Sequence, residues 1–376
     1  MLKLFRQAVA LLCTPLVLLF GALGLRAGVS NNYRSYKNVI LMIGDGMGFN
    51  TLASAKQSLG LEQLVMETMP VQGESETRSW QTVTDSAAGA TALACGIRNI
   101  NGEIAVYPLD PLQVFGTPKS LSELALEHGK TAGVVTTDST SGATPAGFSA
   151  HAASRDEEEK ISAGQLASGL TLIWGGGSAS VTQAGAQAGG FTLVTDRAGW
   201  DALEPGQRSF AQFSNDDLSH TTNTETTPTL EEMTIRAVDV LDDDADGFFL
   251  MVEAAHIDKY SHNNDMAGAV HHVAEFDKAI AAALEYADAH NNTLVVVTAD
   301  HETGGIQYDA AKKEYYYTSD GHTAVNVPLL VSATDAGFTD GQAVKNREVG
   351  VQLGLVLGFP ADSFPTPLLP RREEAA

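Results

Sequence analysis

Lys37-Asn-Val-Ile-Leu-Met-Ile43 runs directly into Gly44-Asp-Gly-Met-Gly48. An apolar run of strand length that stops at a glycine-rich turn is the pattern of a strand buried on both faces, as in a parallel sheet, breaking toward a helix. Asp45 then falls at the strand's carboxyl end, the side on which open α/β sheets bind their ligands. The glycines do not form a dinucleotide fingerprint, because Gly44-x-Gly46-x-Gly48 has the wrong spacing and an acid stands where a phosphate would approach.

The same design recurs along the chain. Thr131–Thr136 leads to Thr137-Asp-Ser-Thr-Ser-Gly-Ala-Thr-Pro145, Phe248–Val252 to Glu253-Ala-Ala-His-Ile-Asp258, and Thr293–Thr298 to Ala299-Asp-His-Glu-Thr-Gly-Gly305. Helical patterns at Leu121–His128, Leu230–Leu241 and Met266–Ala289 lie between them. A strand-helix-strand rhythm predicts an α/β fold: a doubly wound, mostly parallel central sheet with helices on both faces and its polar residues gathered at one edge. Residues 28–376 read as one such domain, with a loosely ordered tail from about Phe359.

The first residues, Met1-Leu-Lys-Leu-Phe-Arg6, and the apolar run from Ala8 to Leu25 read as a secretory signal over 1–27. About 18 apolar residues also suffice for an uncleaved anchor; Pro15 and the small residues near Ala22 and Ala27 favour cleavage, leaving no stable membrane association. Cys13 lies in this segment without a small residue before it, a poor lipid-attachment site. Only Cys95 would remain, so no internal disulfide is available, and export without disulfides points to a periplasmic or secreted protein. The net charge of −23 argues against nucleic acid or anionic membranes as partners, and against a bare anionic substrate unless cations are bound.

A second stretch carries chemistry. Trp80-Gln-Thr-Val-Thr-Asp-Ser-Ala-Ala-Gly-Ala-Thr-Ala-Leu-Ala-Cys-Gly96 sets a polar Thr84-Asp85-Ser86 step before an Ala-rich helix former, so Asp85 or Ser86 caps the helix. A hydroxyl at that start meets unpaired N–H groups and the positive dipole end, which favour an anion. Small residues from Ala87 to Ala90 allow another element to pack close. Elsewhere, Asp258 and His262 are four apart and share one face of a short helix starting near Ile257. Asp300 and His301 are adjacent after a strand, and His322 sits in a loop before Val325–Val331. Mixed imidazole and carboxylate ligation suits zinc in catalytic sites.

Together these motifs resemble the alkaline phosphatase family of secreted metal-dependent phosphomonoesterases. The resemblance is carried, in the family's order, by Ile43-Gly-Asp-Gly-Met-Gly48, Thr84-Asp-Ser-Ala-Ala-Gly-Ala-Thr91, Ala143-Thr-Pro-Ala-Gly147 through Ala150-His-Ala-Ala-Ser-Arg155, Met251-Val-Glu253 with Ile257-Asp-Lys-Tyr-Ser-His262, Thr298-Ala-Asp-His-Glu-Thr-Gly-Gly305 and Gly321-His-Thr323. It implies hydrolysis of small-molecule phosphomonoesters with Ser86 as the phosphorylated nucleophile and Arg155 as the phosphate clamp. It also implies two zinc ions and one magnesium ion: Asp258, His262 and His322 on the first zinc, Asp45, Asp300 and His301 with Ser86 on the second, and Asp45, Thr144 and Glu253 at the magnesium. Homodimers are common among relatives, but the sequence adds no independent sign of one.

Elementary chemistry supports the same assignment. Phosphomonoester hydrolysis is so slow unaided that catalysis must lower the barrier by on the order of 20 kcal/mol. Two divalent ions roughly 4 Å apart stabilise the attacking and leaving oxygens together, and a guanidinium contacts two phosphate oxygens at once. One departure stands out. Where relatives carry Asp or His two residues before the magnesium-site Thr, this chain has Gly142, which leaves the third site weaker, differently hydrated or filled by another ion. Lys259 offsets this through a water-mediated contact to phosphate, or else is only a solvated charge.

Other features carry no chemistry. Asp242-Asp-Asp-Ala-Asp-Gly247, five residues and Glu253 match a calcium-loop expression, yet Phe248–Val252 reads as a strand that carries Glu253 roughly 16 Å from the turn. His128, His220, His271, His272 and His290 lack partners in any motif, and His151 is expected to brace the Thr144–Arg155 stretch. Trp174-Gly-Gly-Gly177 reads as a strand end and turn. The His301–His322 interval is too short for the crown-like insertion of larger relatives, so a more open mouth and broad substrate tolerance are expected. A phosphodiesterase or sulfatase would share the sheet and zinc ligands, and a non-catalytic phosphate-binding protein would keep the metals and Arg155; Ser86 with Thr144 and Glu253 favours the monoesterase.

Overall fold

The computed structural model describes residues 32–108, 110, 116–177, 181–218 and 226–365. The expected leader over 1–27, with Cys13, and His220 lie outside the described residues. Asn38–Gly44 forms β1, buried along its whole length. Its side chains alternate: Val39, Leu41 and Ile43 enter one hydrophobic cluster, Ile40 and Met42 the other. That is what period-two geometry does to a continuous apolar run.

The remaining strands are, in order, β2 (Val71–Glu76), β3 (Thr131–Ser139), β4 (Leu172–Gly176), β5 (Thr192–Val194), β6 (Ser209–Gln212), β7 (Phe248–Ala254), β8 (Thr293–Thr298), β9 (Glu302–Thr303), β10 (Gln307–Asp309), β11 (Glu314–Tyr316), β12 (His322–Thr323), β13 (Val327–Val331) and β14 (Ala343–Lys345). Ten of them make one sheet in the order β14-β2-β13-β8-β1-β7-β3-β4-β6-β5. All neighbours are parallel except β13, which runs against both β2 and β8. The expected doubly wound, mostly parallel sheet is therefore present, with its antiparallel strand outside the central parallel block. The His301–His322 interval holds the short pairs β9–β12 and β10–β11.

Register decides what meets at the sheet edge. Ile43 of β1 pairs with Glu253 of β7 and with Thr298 of β8, and Glu253 pairs with Thr136 of β3. Three adjacent parallel strands, β8, β1 and β7, thus end at one level while β3 runs on to Ser139, and Asp45, Glu253, Asp300 and the end of β3 meet there. Gly46 has φ +70°, and a Cβ on it would lie 2.9 Å from the Asp258 backbone; only glycine both takes that conformation and admits the neighbour.

The helix Ser86–Cys95 is buried on every side, so its Ala-rich sequence shows no amphipathic face. Its smallness is used on two sides. A Cβ on Gly89 would stand 3.0 Å from the Asp300 carbonyl oxygen, and one on Gly350 of the helix Asn346–Val356 would stand 2.2 Å from the Leu93 carbonyl oxygen. One correction concerns the tail. Phe359 and Phe364 are buried in the core, and Phe364 lies against Gly96 and Gly354. The pocket beside these two glycines seats an aromatic ring that proline-rich composition alone had placed in a loose segment.

No described helix is long and apolar enough to cross a membrane. The close crossing at Gly350 predicts that Gly350→Ala costs about 1–3 kcal/mol through overpacking. An unchanged denaturant midpoint would show that these helices have slack.

Candidate active site

Ser86 opens its helix, and Asp85 is the N-cap: its Oδ1 accepts the Ala88 N–H at 3.0 Å. The second oxygen of Asp85 accepts Gly102 N–H at 2.9 Å and the Arg155 Nη1–H at 3.3 Å. One carboxylate thereby fixes the helix start and tethers the guanidinium beside it. Ser86 is 5% exposed, and its Oγ lies 3.1 Å from His301 Nε2.

That nitrogen also lies 3.5 Å from Asp45 Oδ1 and 3.2 Å from Asp300 Oδ2. Asp45, Asp300 and His301 form one compact group of donors, and Asp258, His301 and His322 form a second. His262 joins the second group, its Nε2 3.0 Å from His322 Nε2 and 3.4 Å from Asp258 Oδ2. The His301 and His322 rings stack with centroids 3.6 Å apart. All the zinc-ligand candidates from sequence therefore converge, and Ser86 Oγ is within reach of them.

The hydrogen bonds specify which atoms face the cluster. His262 Nδ1 meets the Asp320 carbonyl at 2.5 Å and His322 Nδ1 the Thr84 carbonyl at 2.9 Å. A carbonyl only accepts, so each Nδ1 carries the proton and each Nε2 turns a lone pair toward the other. Two lone pairs 3.0 Å apart repel unless a cation lies between or beside them. Backbone carbonyls behind the imidazoles are the outer-shell partners typical of metal-binding histidines.

Burial adds to the same demand. Asp45 is pushed well above the usual carboxylate range by burial and then by the charges of Asp300, Asp258 and Glu253, with Arg155 opposing. Asp300 is raised by burial, and His301 is held well below the usual imidazole value by burial and then by His322. Asp45 Oδ1, Asp300 Oδ2 and Thr144 Oγ1 are buried without a hydrogen-bond partner. Carboxylates, imidazoles and orphaned oxygens in this combination fit divalent cations.

Thr144 lies in the helix Ala143–Ser149, which begins just after β3. Glu253, 1% exposed, accepts a short hydrogen bond from Thr136 Oγ1. Its carboxyl is pushed up to about 8 by burial and then by Asp138, with the Thr136 and Thr144 hydroxyls opposing. Lys259 binds Asp138 closely and Asp217 Oδ2 at 2.7 Å. Burial pulls its pKa down, but these two carboxylates raise it further.

Sequence reasoning missed several groups. Asp138 and Asp217 belong to no motif, although Asp138 lies at the carboxyl end of β3, on the edge where Asp45 and Asp300 follow their strands. Thr303 Oγ1 donates a short bond to Asp258 and stands 3.3 Å from His301 Nδ1; its place two residues past His301 was the available signal. Of the histidines set aside, His128 and His290 bond carbonyls of their own helices. His271 and His272 pack against each other, and His272 also against His256 and Tyr260. Glu253 of the calcium-like stretch lies within β7, away from a loop.

A helix-start hydroxyl facing clustered imidazoles and carboxylates, at the carboxyl edge of a parallel sheet, is the geometry of a candidate metal centre in an α/β fold. The profile of the alkaline phosphatase family matches residues 36–171 and 174–348. Alkaline phosphatase 3 of Bacillus subtilis is 34% identical over 302 residues, which cover 74% of this chain and 64% of that protein. The alkaline phosphatase of Escherichia coli K12 is 31% identical over 333 residues, 70% of each chain. The chain thus spans just under two thirds of the Bacillus relative's length. Among solved structures, the alkaline phosphatase of the Antarctic bacterium TAB5 superposes with a TM-score of 0.76 at 29% identity, covering 87% of this chain and 99% of that one. A Shewanella cold-active alkaline phosphatase gives 0.78 at 26% identity, covering 85% and 99%. A TAB5 variant with one histidine changed to glutamate has magnesium bound in its M3 site. This chain belongs to the alkaline phosphatase family.

His151 braces the stretch between Thr144 and Arg155: its Nδ1 meets the Ala105 carbonyl at 2.6 Å and its Nε2 the Glu123 carboxylate at 3.0 Å. Burial opposes both charges, yet the mutual hydrogen bond wins, lowering Glu123 below 4.5 and raising His151 above 6.5. Glu123 contributes its stability above its unfolded value and loses it as pH falls through the lowered folded value. His151 contributes below its unfolded value and loses it as pH rises through the raised folded one. The pair is therefore fully stabilising between about pH 4.5 and 6.5. Glu123→Gln is expected to cost about 1 kcal/mol at pH 6 and clearly less at pH 9, measured by urea unfolding; an equal gap at both values would refute the pairing.

Proposed function

We propose that this chain hydrolyses phosphate monoesters to an alcohol and inorganic phosphate through a phosphoserine on Ser86. The observation that carries the proposal is the Ser86 hydroxyl at its helix start, 3.1 Å from His301 Nε2 and beside two donor clusters. Asp258, His262 and His322 would hold one zinc ion, Asp45, Asp300 and His301 the other, and Asp45, Thr144 and Glu253 a magnesium ion. Bound there, the ions supply Lewis acidity that ionises the nucleophile and neutralises the leaving oxygen.

The chain's own groups set the geometry. Asp85 holds the first helical turn, so the Ser86 oxygen projects from a region of unpaired N–H groups that favours an approaching phosphate. The Thr303 hydroxyl gives its single proton to Asp258 and so accepts from His301 Nδ1, which leaves Nε2 unprotonated toward Ser86. That lone pair is the one His301 would offer to a cation beside the Ser86 oxygen. Arg155, 38% exposed at its side chain, uses one N–H on Asp85 and keeps the rest for two phosphate oxygens. Burial of Ser86, Asp300 and His301 keeps bulk water off the nucleophile until ester enters.

The magnesium assignment is supported by the orphaned Thr144 and Asp45 oxygens and by the magnesium bound in the TAB5 variant. The basic-then-apolar leader over 1–27 supports a periplasmic or secreted location, and no nucleic-acid partner is expected at a net charge of −23.

Ser86→Ala is expected to lower kcat on p-nitrophenyl phosphate by roughly three orders of magnitude or more, with zinc content per chain unchanged by elemental analysis. The wild-type rate on the bis ester is expected to be far lower, and activity should rise on adding magnesium to zinc-loaded protein. Retained turnover in Ser86→Ala, or a preference for the bis ester, would overturn the assignment.

A further inference from the structure

Position 142 has no side chain to offer the third cation site, yet the space beside it is filled. A Cβ built on Gly142 would stand 2.4 Å from Asp138 Oδ2 and 2.9 Å from its Cγ, well inside contact distance. A side chain at 142 and the observed Asp138 carboxylate exclude one another. We propose that Asp138, from the end of β3, supplies the third cation site with the carboxylate that Gly142 withholds, and that Lys259 and Asp217 hold it in place. This rests on the reading that magnesium sits among Asp45, Thr144 and Glu253.

Two observations converge on that site. The Asp138 backbone N–H donates to Thr136 Oγ1 at 2.7 Å, and the same hydroxyl donates to Glu253, so one threonine ties both acids together. Thr144 Oγ1, in a residue 1% exposed, and Asp45 Oδ1 are buried with no hydrogen-bond partner within normal distance. An unpartnered buried hydroxyl among acids calls for a hard cation, for which oxygen donors, some through water, are the fitting ligands.

The division of oxygens on Asp138 agrees. Oδ1 takes the Lys259 ammonium, whereas Oδ2 has no hydrogen bond among the described residues and lies toward Gly142. Lys259 also binds Asp217, so its charge is shared between two acids and Asp138 keeps negative charge for a cation. Asp138 is thus a positioning residue, acting on the reaction through the ion and its water.

The test uses zinc-loaded, full-length protein titrated with magnesium, followed by elemental analysis after dialysis and by the magnesium-dependent rise in thermal midpoint. Asp138→Asn keeps the shape and is expected to weaken magnesium binding about 10-fold or more, with zinc content unchanged. Gly142→Asp alone is expected to weaken it too, because the new side chain collides with Asp138. The double exchange Asp138→Gly with Gly142→Asp is expected to recover magnesium affinity to within about threefold of wild type, which a merely structural role of Asp138 would not produce. Wild-type magnesium affinity in Asp138→Asn, or no recovery in the double exchange, would overturn the role of Asp138. Absence of magnesium from the wild-type protein would instead sink the third-site reading itself, and with it this proposal. Should Asp138→Asn fail to fold, the double exchange decides.

Discussion

Four buried carboxylates, those of Asp45, Glu253, Asp258 and Asp300, share one small region. In a low dielectric their repulsion and lost hydration are expensive, and no arrangement of neutral neighbours offsets both. Strand register brings them together: β8, β1 and β7 run parallel and end level, so Asp45 and Asp300 follow their strands and Glu253 sits near the end of β7 at the same edge, with Asp258 on the short helix His256–His262 that follows β7. The gathering of acids is therefore a consequence of sheet geometry, and on the proposed reading the cations answer to the acids, so that folding of this edge and loading of metal would be coupled.

The helix Ser86–Cys95 is the counterpart on the Ser86 side. Its position is set less by a hydrophobic face than by how closely backbones approach it: Gly89 admits the Asp300 segment and Gly350 admits a neighbouring helix. Close packing holds the serine oxygen at one distance from His301, and cores at crystal-like density change shape reluctantly. Precision of the hydroxyl thus derives from small residues that carry no chemistry.

Much of this was legible in the sequence for a physical reason. A strand buried on both faces must be apolar throughout and must end in a turn, so β1, β7 and β8 announce themselves; β8 spans the predicted Thr293–Thr298 and the helices Leu230–Leu241 and Met266–Ala289 fall on their predicted bounds. Asp45, Asp300 and His301 follow such strands directly and so were visible. Asp138 and Asp217 were not, because what gives them meaning is Lys259, which lies 121 residues after the first and 42 after the second. No local pattern encodes such a triad. Phe359 and Phe364 were misjudged because the glycines that receive the ring of Phe364 lie on other elements. Thr303 was overlooked since its hydroxyl acts on Asp258, a residue far away in the chain.

The two basic residues near the site are treated oppositely, and the contrast follows from what each must do. Lys259 is held by two carboxylates, so its charge is spent within the protein and its place is fixed. Arg155 is held by Oδ2 of Asp85, which also takes the Gly102 N–H, while Oδ1 of the same carboxylate serves the helix cap. A carboxylate shared among three donors grips each of them less than it would grip one, and a planar guanidinium with several free N–H groups exchanges such a partner readily for a dianion. An acidic protein thereby keeps a guanidinium loosely paired beside Ser86 without leaving it bare among so many negative charges, as the proposed phosphate contact would need.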